Sequence, residues 1–232
     1  MILIVASRVD NVAQRLSTEL PQGSARLLTP RDLSVPGWRV SAASPLSSTC
    51  IAGGEELEAK AITGVVCLLP CVFQQELVHI EPEDRAYVAA EMTALLVFWL
   101  SSLKCPKLNP PTAGCLSGPR WPLERWLAEA AATGLPVKPI RRSTRPVPNP
   151  DQPVEGCITV TVAGRHFLGH DDPKLRRDAR SLASAVGVDL LSVHFAKGVA
   201  GYYFVGADTF PDLSQARATD AIWDFFNQGG GS

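Results

Sequence analysis

The chain has 232 residues, of which 46% are hydrophobic, 19% are charged and 7% are aromatic. This composition is typical of a globular protein with a sizeable core and excludes disordered, collagen-like and coiled-coil chains. Lys and Arg together number 22 against 23 Asp and Glu, which gives a net charge of -1. Because binding to nucleic-acid phosphates requires a clustered excess of positive charge, this balance argues against a general nucleic-acid-binding protein.

The first part of the chain predicts a Rossmann-like α/β layer. Residues 2–6 form a continuous aliphatic run typical of a strand, and apolar residues recur at helical spacing over 12–20. A long helix that ends near Leu103 is expected after the acidic residues and proline at 81–84. Further strands are predicted at 38–42, 48–52 and 64–69, the last with the two-sided apolar pattern of a central parallel strand. We predict a Rossmann-like domain over 1–108.

The loops that follow two of these strands suggest a separate hypothesis, a ligand-binding site. Residues 7–8 and 70–72 lie at the strand ends where α/β folds usually bind ligands. A pocket at these loops would favour a small-ligand-binding α/β module.

Proline is frequent in the middle of the chain, and α+β patterns follow it. We predict a proline-rich connection over 109–156 with one amphipathic helix at 122–133. A hairpin turn is expected at Ala163-Gly164-Arg165, and Asp172 predicts the start of a helix that ends at Gly187. Strands at 188–195 and 202–205 and a helix at 214–226 complete a C-terminal part over 157–228. Residues 229–232 are interpreted as a linker scar.

Aromatic residues are numerous after residue 201. We expect them to form the core of the C-terminal part, or to be buried by another chain if one sheet face is left uncovered. They are Tyr202, Tyr203, Phe204, Phe210, Trp223, Phe225 and Phe226.

Cellular location is predicted from three features. The apolar run at the start is too short for a signal peptide, and the longest apolar stretch, at 86–103, carries Glu91 and several Ser and Thr residues. Six scattered cysteines among apolar neighbours are typical of a reduced chain. We therefore expect a cytoplasmic protein without a membrane partner.

The order of these elements resembles the ATP-grasp ligase superfamily with its Rossmann-like preceding domain. Asn109-Pro110-Pro111, the helix at 122–133 and Gly134-Leu135-Pro136-Val137 are similar to the family's Asn-Arg-Pro, helix and Gly-Leu-Pro-Val-Pro passage. Residues 186–213 look like the closing hairpin that carries the magnesium ligands. The resemblance implies an α/β fold with a Rossmann-like N-terminal layer and a reduced ATP-grasp-like α+β C-terminal part.

Two departures from the family pattern bear on activity. The resemblance implies an Asp on the strand before the closing turn and Glu-x-Asn on the last strand, where this chain has His194, Gly206 and Asp208. Magnesium requires hard oxygen ligands in near-octahedral geometry, so neutral residues do not replace lost carboxylates. The stretch between Val137 and Gly156 also leaves no room for the nucleotide-binding strands that the resemblance implies.

The leading hypothesis is a degenerate ATP-grasp-like protein without ligase activity, which needs no cofactor. It would act as a partner or scaffold for another protein of a peptide- or cofactor-modifying pathway, or as a homodimer. The alternative is a small active carboxylate-amine ligase that uses Mg-ATP. It would use Lys138 and Arg141 at the phosphates and Asp189, Asp208 and Asp212 for Mg²⁺. This alternative predicts that the three carboxylates converge on one cavity.

Overall fold

The computed structural model describes residues 1–139, 157–199, 201–214 and 217–227. Two compact units are present: Met1–Pro119 with Asp212–Ser232 form unit 1, and Arg120–Pro211 form unit 2. Arg141, most of the proline-rich connection and the 229–232 segment lie outside the described residues. The sequence-based domain bounds therefore stay predictions.

The strands of unit 1 form a parallel sheet and a separate hairpin. Those described are β1 (Ile2–Val5), β2 (Ala25–Leu28), β3 (Thr49–Ala52), β4 (Glu55–Glu58), β5 (Gly64–Cys67) and β6 (Lys107–Leu108). The parallel sheet has the order β2-β1-β5-β6. Both β1 and β5 are buried along their whole length, as two-sided apolar strands must be in a covered parallel sheet. β3 and β4 pair in antiparallel fashion outside this sheet.

Five α-helices lie in the described part of the chain. They are α1 (Asn11–Glu19), α2 (Arg85–Ser102), α3 (Leu123–Ala132), α4 (Pro173–Val186) and α5 (Ala218–Asn227). The first, second and fifth belong to unit 1, and the other two belong to unit 2. Helix α2 inserts Leu96, Trp99 and Leu100 into the core of unit 1. None of the described helices combines the length and apolar character needed to cross a membrane.

Unit 2 is a four-stranded antiparallel sheet with helices on one face. Its strands are β7 (Ile158–Ala163), β8 (His166–Gly169), β9 (Leu190–Gly198) and β10 (Gly201–Asp208), in the order β10-β9-β7-β8. Alternate residues of the strands, such as Val160, Val193 and Phe195, pack with α3 and α4 in one apolar cluster. The intervening residues therefore point to the opposite face, which carries the candidate site.

Helix α4 has the ends that its sequence predicts. The Asp172 carboxylate accepts hydrogen bonds from the backbone N–H groups of Lys174 at 2.8 Å and Leu175 at 3.1 Å. Hydrogen bonds from Leu175 and Lys174 to the charged form hold the pKa of Asp172 below its usual value. At the other end, Gly187 has a φ of 68°, the left-handed conformation that closes a helix.

In unit 1, some of the strands predicted from the sequence are confirmed and one is wrong. The predicted strands at 2–6 and 64–69 are confirmed as neighbouring parallel strands. The predicted strand at 38–42 is wrong, because that segment makes only an isolated bridge from Arg39 to Thr49. The strand at 48–52 exists as β3, but it pairs with β4 rather than joining the parallel sheet.

The C-terminal aromatic residues are divided between the two units. Phe204 lies in the apolar cluster of unit 2. Phe225 and Phe226 lie on α5, which belongs to unit 1, and the Phe226 ring covers Gly64 of β5 so closely that a Cβ there would overlap it. The expectation that all of these residues form the core of the C-terminal part is therefore wrong for α5.

Two glycines of unit 2 provide a matched test of backbone packing. Both Gly169 and Gly187 have positive φ, but a Cβ at Gly169 would lie 2.5 Å from the Thr159 carbonyl oxygen, whereas one at Gly187 would meet nothing within 4 Å. We expect Gly187→Ala to lower the free energy of unfolding by about 1–2 kcal/mol through backbone strain alone. Gly169→Ala should cost more than about 3 kcal/mol, because the opposing atom is sheet backbone. Urea unfolding followed by circular dichroism measures both, and equal losses would contradict the prediction.

Candidate functional site

A row of polar side chains crosses the face of the unit 2 sheet opposite the apolar cluster. Thr159 lies directly opposite His194, and Thr161 lies directly opposite Ser192. Across the next strand pair, Gly206 is opposite His194, and Asp208 is opposite Ser192. Residues directly opposite in antiparallel strands share a face, so this polar row includes residues of β7, β9 and β10.

A β-bulge brings Asp208 onto this face. Phe204 is paired with Phe195 on the helix-covered face, but the register shifts between Phe204 and Gly206. Strict alternation would place Asp208 on the same face as Phe204, since the two are four residues apart. The extra residue in the bulge reverses the orientation of the residues that follow it. Asp208 and His194 therefore meet on the polar face.

The polar row is joined by short hydrogen bonds. His194 Nε2 lies 2.8 Å from Asp208 Oδ2, and His194 Nδ1 lies 2.9 Å from Thr159 Oγ1. The other carboxylate oxygen, Asp208 Oδ1, accepts a hydrogen bond from the Phe210 N–H at 2.8 Å. An ionised carboxylate only accepts, so Nε2 donates to Asp208; in the neutral imidazole, Nδ1 then accepts from the Thr159 hydroxyl. Both ring nitrogens and both carboxylate oxygens have protein partners.

Hydrogen bonds between the strands hold the His194 side chain in place while leaving it partly exposed. Thr161 Oγ1 and Ser192 Oγ form a further hydrogen bond of 2.7 Å beside the His194 group. These contacts tie three strands together and hold one imidazole in a fixed orientation. Asp208 and His194 remain partly exposed, with 44% and 31% of their side-chain surface accessible. The site is thus a rigid, partly accessible imidazole–carboxylate pair.

The predicted acidic residues have different partners. Asp208 belongs to the pair with His194. Asp189 precedes β9, and its partial burial raises the pKa of its carboxyl while the nearby charge of Arg180 on α4 opposes that rise. Asp212 lies in unit 1, where its Oδ1 accepts a hydrogen bond from the Ser214 N–H at 2.9 Å. The predicted use of all three for one Mg²⁺ site stays a prediction that these contacts do not favour.

The predicted phosphate-binding residues are only partly described. Arg141 lies outside the described residues. Lys138 follows a bridge between Val137 and Phe204, and its Nζ lies 3.8 Å from the centroid of the Tyr203 ring. Tyr203 is five residues before Asp208 on β10, which corresponds to roughly 16 Å along a strand. Lys138 and Asp208 therefore lie near opposite ends of β10.

The donor set of the polar row does not fit a magnesium ion. Magnesium takes oxygen ligands in octahedral geometry, usually one or two carboxylates with water. Here the only carboxylate of the row has both oxygens hydrogen-bonded to protein groups, and its neighbour is an imidazole. Within the described ranges, no group of three His, Cys, Asp or Glu side chains could hold a metal ion.

Comparisons with known proteins identify the fold. No protein-family model and no curated protein matches the sequence. Among solved structures, the chain is similar to the macrocyclase MdnC from Microcystis aeruginosa MRC, bound to the precursor peptide MdnA. The TM-score is 0.72 at 12% identity, and the match covers 98% of this chain and 99% of MdnC. The chain has an ATP-grasp-like fold.

Two further ATP-grasp structures support this assignment. A RiPP-associated ATP-grasp ligase from Chryseobacterium gregarium, in complex with ADP and a leader and core peptide, matches with a TM-score of 0.68 at 11% identity, covering 98% of this chain and 96% of that one. A RimK domain ATP-grasp protein from Sphaerobacter thermophilus DSM 20745 matches with a TM-score of 0.54 at 14% identity, covering 97% and 99%. The α/β fold class that the sequence predicts is confirmed, and at these identities the likeness concerns the fold.

A second candidate site lies in unit 1, at the carboxyl ends of β1 and β2. A pocket of about 380 Å³ opens there, and its walls include Ser7, Arg8, Thr29, Arg31, Glu76 and His79. The sequence analysis singled out the loops at 7–8 and 70–72, but only the first lines this pocket. Cys71 and Val72 line a separate groove beside α2. Arg31 and Glu76 were missed. Arg31 follows a strand that was not predicted, and Glu76 comes from a short helical turn far along the chain.

Proposed function

We propose that this chain is an ATP-grasp-like protein without ligase activity of its own, which acts as a partner or scaffold for another protein of a peptide- or cofactor-modifying pathway. One observation carries the proposal. Among the hairpin positions where the ATP-grasp resemblance implies magnesium ligands, both carboxylate positions have other residues, His194 and Gly206, and His194 is hydrogen-bonded to Asp208. Asp208 is further occupied by the Phe210 N–H, so the pair serves to join strands rather than to receive a cation.

A peptide-modifying pathway is supported by the proteins of similar fold. MdnC and the Chryseobacterium ligase were both solved with peptides bound to them. The likeness in fold makes a peptide or protein the first partner class to test for this chain.

An exposed apolar surface on unit 1 also supports a protein partner. Phe73, Tyr87 and Phe98 are 42%, 69% and 47% exposed, and Phe73 and Phe98 line an open groove of about 780 Å³ beside α2. Clustered exposed apolar side chains are typical of interaction surfaces. Size-exclusion chromatography with light scattering distinguishes a homodimer from a monomer that awaits a different partner.

Thermal unfolding with and without Mg-ATP tests the proposal against the active-ligase alternative. A nucleotide present at about 100 times its dissociation constant should stabilise the native state by roughly 2.7 kcal/mol. We expect no magnesium-dependent shift of Tm at millimolar ATP. A clear shift that is lost in both Asp208→Asn and Lys138→Gln would contradict the proposal and support the ligase, with Arg39→Gln as a charge-matched control outside these positions.

The third hypothesis, a small-ligand-binding module, is supported in part, because the pocket lies at the 7–8 loop but is not lined by the 70–72 loop. Ligand binding in this pocket is compatible with a partner or scaffold role, because the two sites share no residue. The pocket residues lie in unit 1, and the His194–Asp208 pair lies in unit 2.

A further inference from the structure

The pocket at the carboxyl ends of β1 and β2 contains charged groups that a scaffold role does not use. We propose that it binds a small anion that also carries a hydrogen-bond donor, such as a hydroxyl or an amino group. The anionic group is inferred from two arginines of the pocket, and the hydrogen-bond donor is inferred from Glu76.

The anionic half of the ligand is inferred from two arginines. Arg8 follows β1 and Arg31 follows β2, and both side chains line the pocket. In the part of the chain that the structure describes, neither guanidinium forms an ion pair or a hydrogen bond. The planar guanidinium fork matches carboxylate and phosphate groups, and this edge of a parallel sheet is where such folds bind ligands.

The donor half is inferred from Glu76. Its Oε2 accepts a hydrogen bond from the Ser7 hydroxyl at 2.8 Å. Its Oε1 is shielded from solvent and has no partner among the described residues. A buried carboxylate oxygen without a donor is costly, so a rotation of the Glu76 carboxylate that brings Oε1 to a ligand N–H or O–H would be favourable.

Glu76 also restricts which anions fit. A simple anion between the two arginines would share the pocket with a carboxylate of the same charge, which opposes its binding. In a ligand with a separate donor group, that donor forms a hydrogen bond with Glu76, and this bond offsets the repulsion between the two negative charges. The volume of about 380 Å³ is at the lower end of the range of ligand sites, roughly 300–1,000 Å³, and suits a molecule the size of an amino acid or a triose phosphate.

Three probes test the proposal by isothermal titration calorimetry and thermal unfolding. Glycerol 3-phosphate combines a phosphate with hydroxyls, serine combines a carboxylate with an ammonium group, and inorganic phosphate is an anion alone. We expect at least one of the first two to bind about tenfold more tightly than inorganic phosphate, as expected for one added hydrogen bond to a charged group. Which of the two binds identifies the source of the anion.

Single substitutions assign the binding to this pocket. Arg8→Gln and Arg31→Gln should each weaken binding of the preferred probe about tenfold. Glu76→Gln should remove the preference over inorganic phosphate while leaving phosphate binding at least as strong. Arg39 is the matched control, because it is an exposed arginine of the same unit that pairs with Glu56 outside the pocket.

The outcomes separate this proposal from the proposed partner role. No binding of glycerol 3-phosphate or serine, equal affinities for these probes and inorganic phosphate, or unchanged selectivity in Glu76→Gln would each overturn it. None of these results bears on whether unit 2 binds Mg-ATP or whether α2 contacts a partner, which are measured separately. Circular dichroism and thermal unfolding without ligand confirm that each variant is folded.

Discussion

Replacing Trp99 by alanine is expected to lower the free energy of unfolding by about 3–5 kcal/mol. The Trp99 side chain is fully buried on α2 and is among the largest in the core of unit 1. Its ring meets that of Trp38 edge-on, with the centroids 5.2 Å apart. The substitution removes this contact and leaves a cavity in the core of unit 1.

Phe98→Ala is the matched control for this prediction. Phe98 is the preceding residue on the same helix, but 47% of its surface is exposed. Its truncation should cost less than about 1 kcal/mol. Urea unfolding followed by far-ultraviolet circular dichroism avoids the change in fluorescence that loss of a tryptophan causes. Similar losses for the two variants would contradict the burial pattern of α2.

Introducing carboxylates into the hairpin of β9 and β10 is expected to create a metal site. In a His194→Asp/Gly206→Glu variant, two carboxylates would lie opposite each other on β9 and β10, with Asp208 two residues further along. A Cβ at Gly206 has room, since the nearest side-chain atoms are 3.8 Å away on Leu123 and 3.9 Å away on His194. Removal of the imidazole also frees one oxygen of Asp208.

The expected result is binding of Mn²⁺ with a dissociation constant on the order of a millimolar or tighter, comparable to the weaker carboxylate sites of proteins. Manganese suits this test because it takes the same oxygen ligands and its free form is measured by electron paramagnetic resonance. The variant should also gain thermal stability when Mn²⁺ is added, because the metal neutralises three neighbouring carboxylates.

A His194→Asn/Gly206→Gln variant is the control, since it has nearly the same shape without the added charges. It should bind Mn²⁺ no better than the unmodified protein. If the unmodified protein binds Mn²⁺ as tightly as the carboxylate variant, the proposal that this chain lacks ligase activity loses its main support. If the folded carboxylate variant does not bind, these positions do not correspond to a metal site.

Much of the local structure could be predicted from neighbouring residues alone. The aliphatic run at 2–6 predicts β1, and Gly164 and Asp172 mark a hairpin turn and a helix start that the structure contains. The predictions fail where contacts between distant segments, rather than the pattern of neighbouring residues, determine the structure. β2 has few features of a strand by itself, and it is held by parallel pairing with β1.

In the two candidate sites too, some features could be predicted from the sequence, and others depend on contacts between distant segments. The positions 194, 206 and 208 are singled out by the resemblance of this hairpin to the closing hairpin of ATP-grasp ligases. Which side chains meet there depends on a bulge that reverses the face of Asp208, and bulges depend on how two strands pair rather than on either strand alone. The pocket of unit 1 similarly joins residues from three separate segments, among which only the loop at 7–8 was foreseen.

By itself, the sequence determined the fold class, most of the helices and hairpins, and the identities of the residues at positions 194, 206 and 208. These features depend on composition, periodicity and residue identity, which are local properties of the chain. Only the tertiary structure decided that Asp208 is held by His194, that α5 belongs to unit 1, and that Glu76 lines one pocket with Arg8 and Arg31. Strand register and contacts between distant segments decide these features, because they depend on how the whole chain buries its apolar surface.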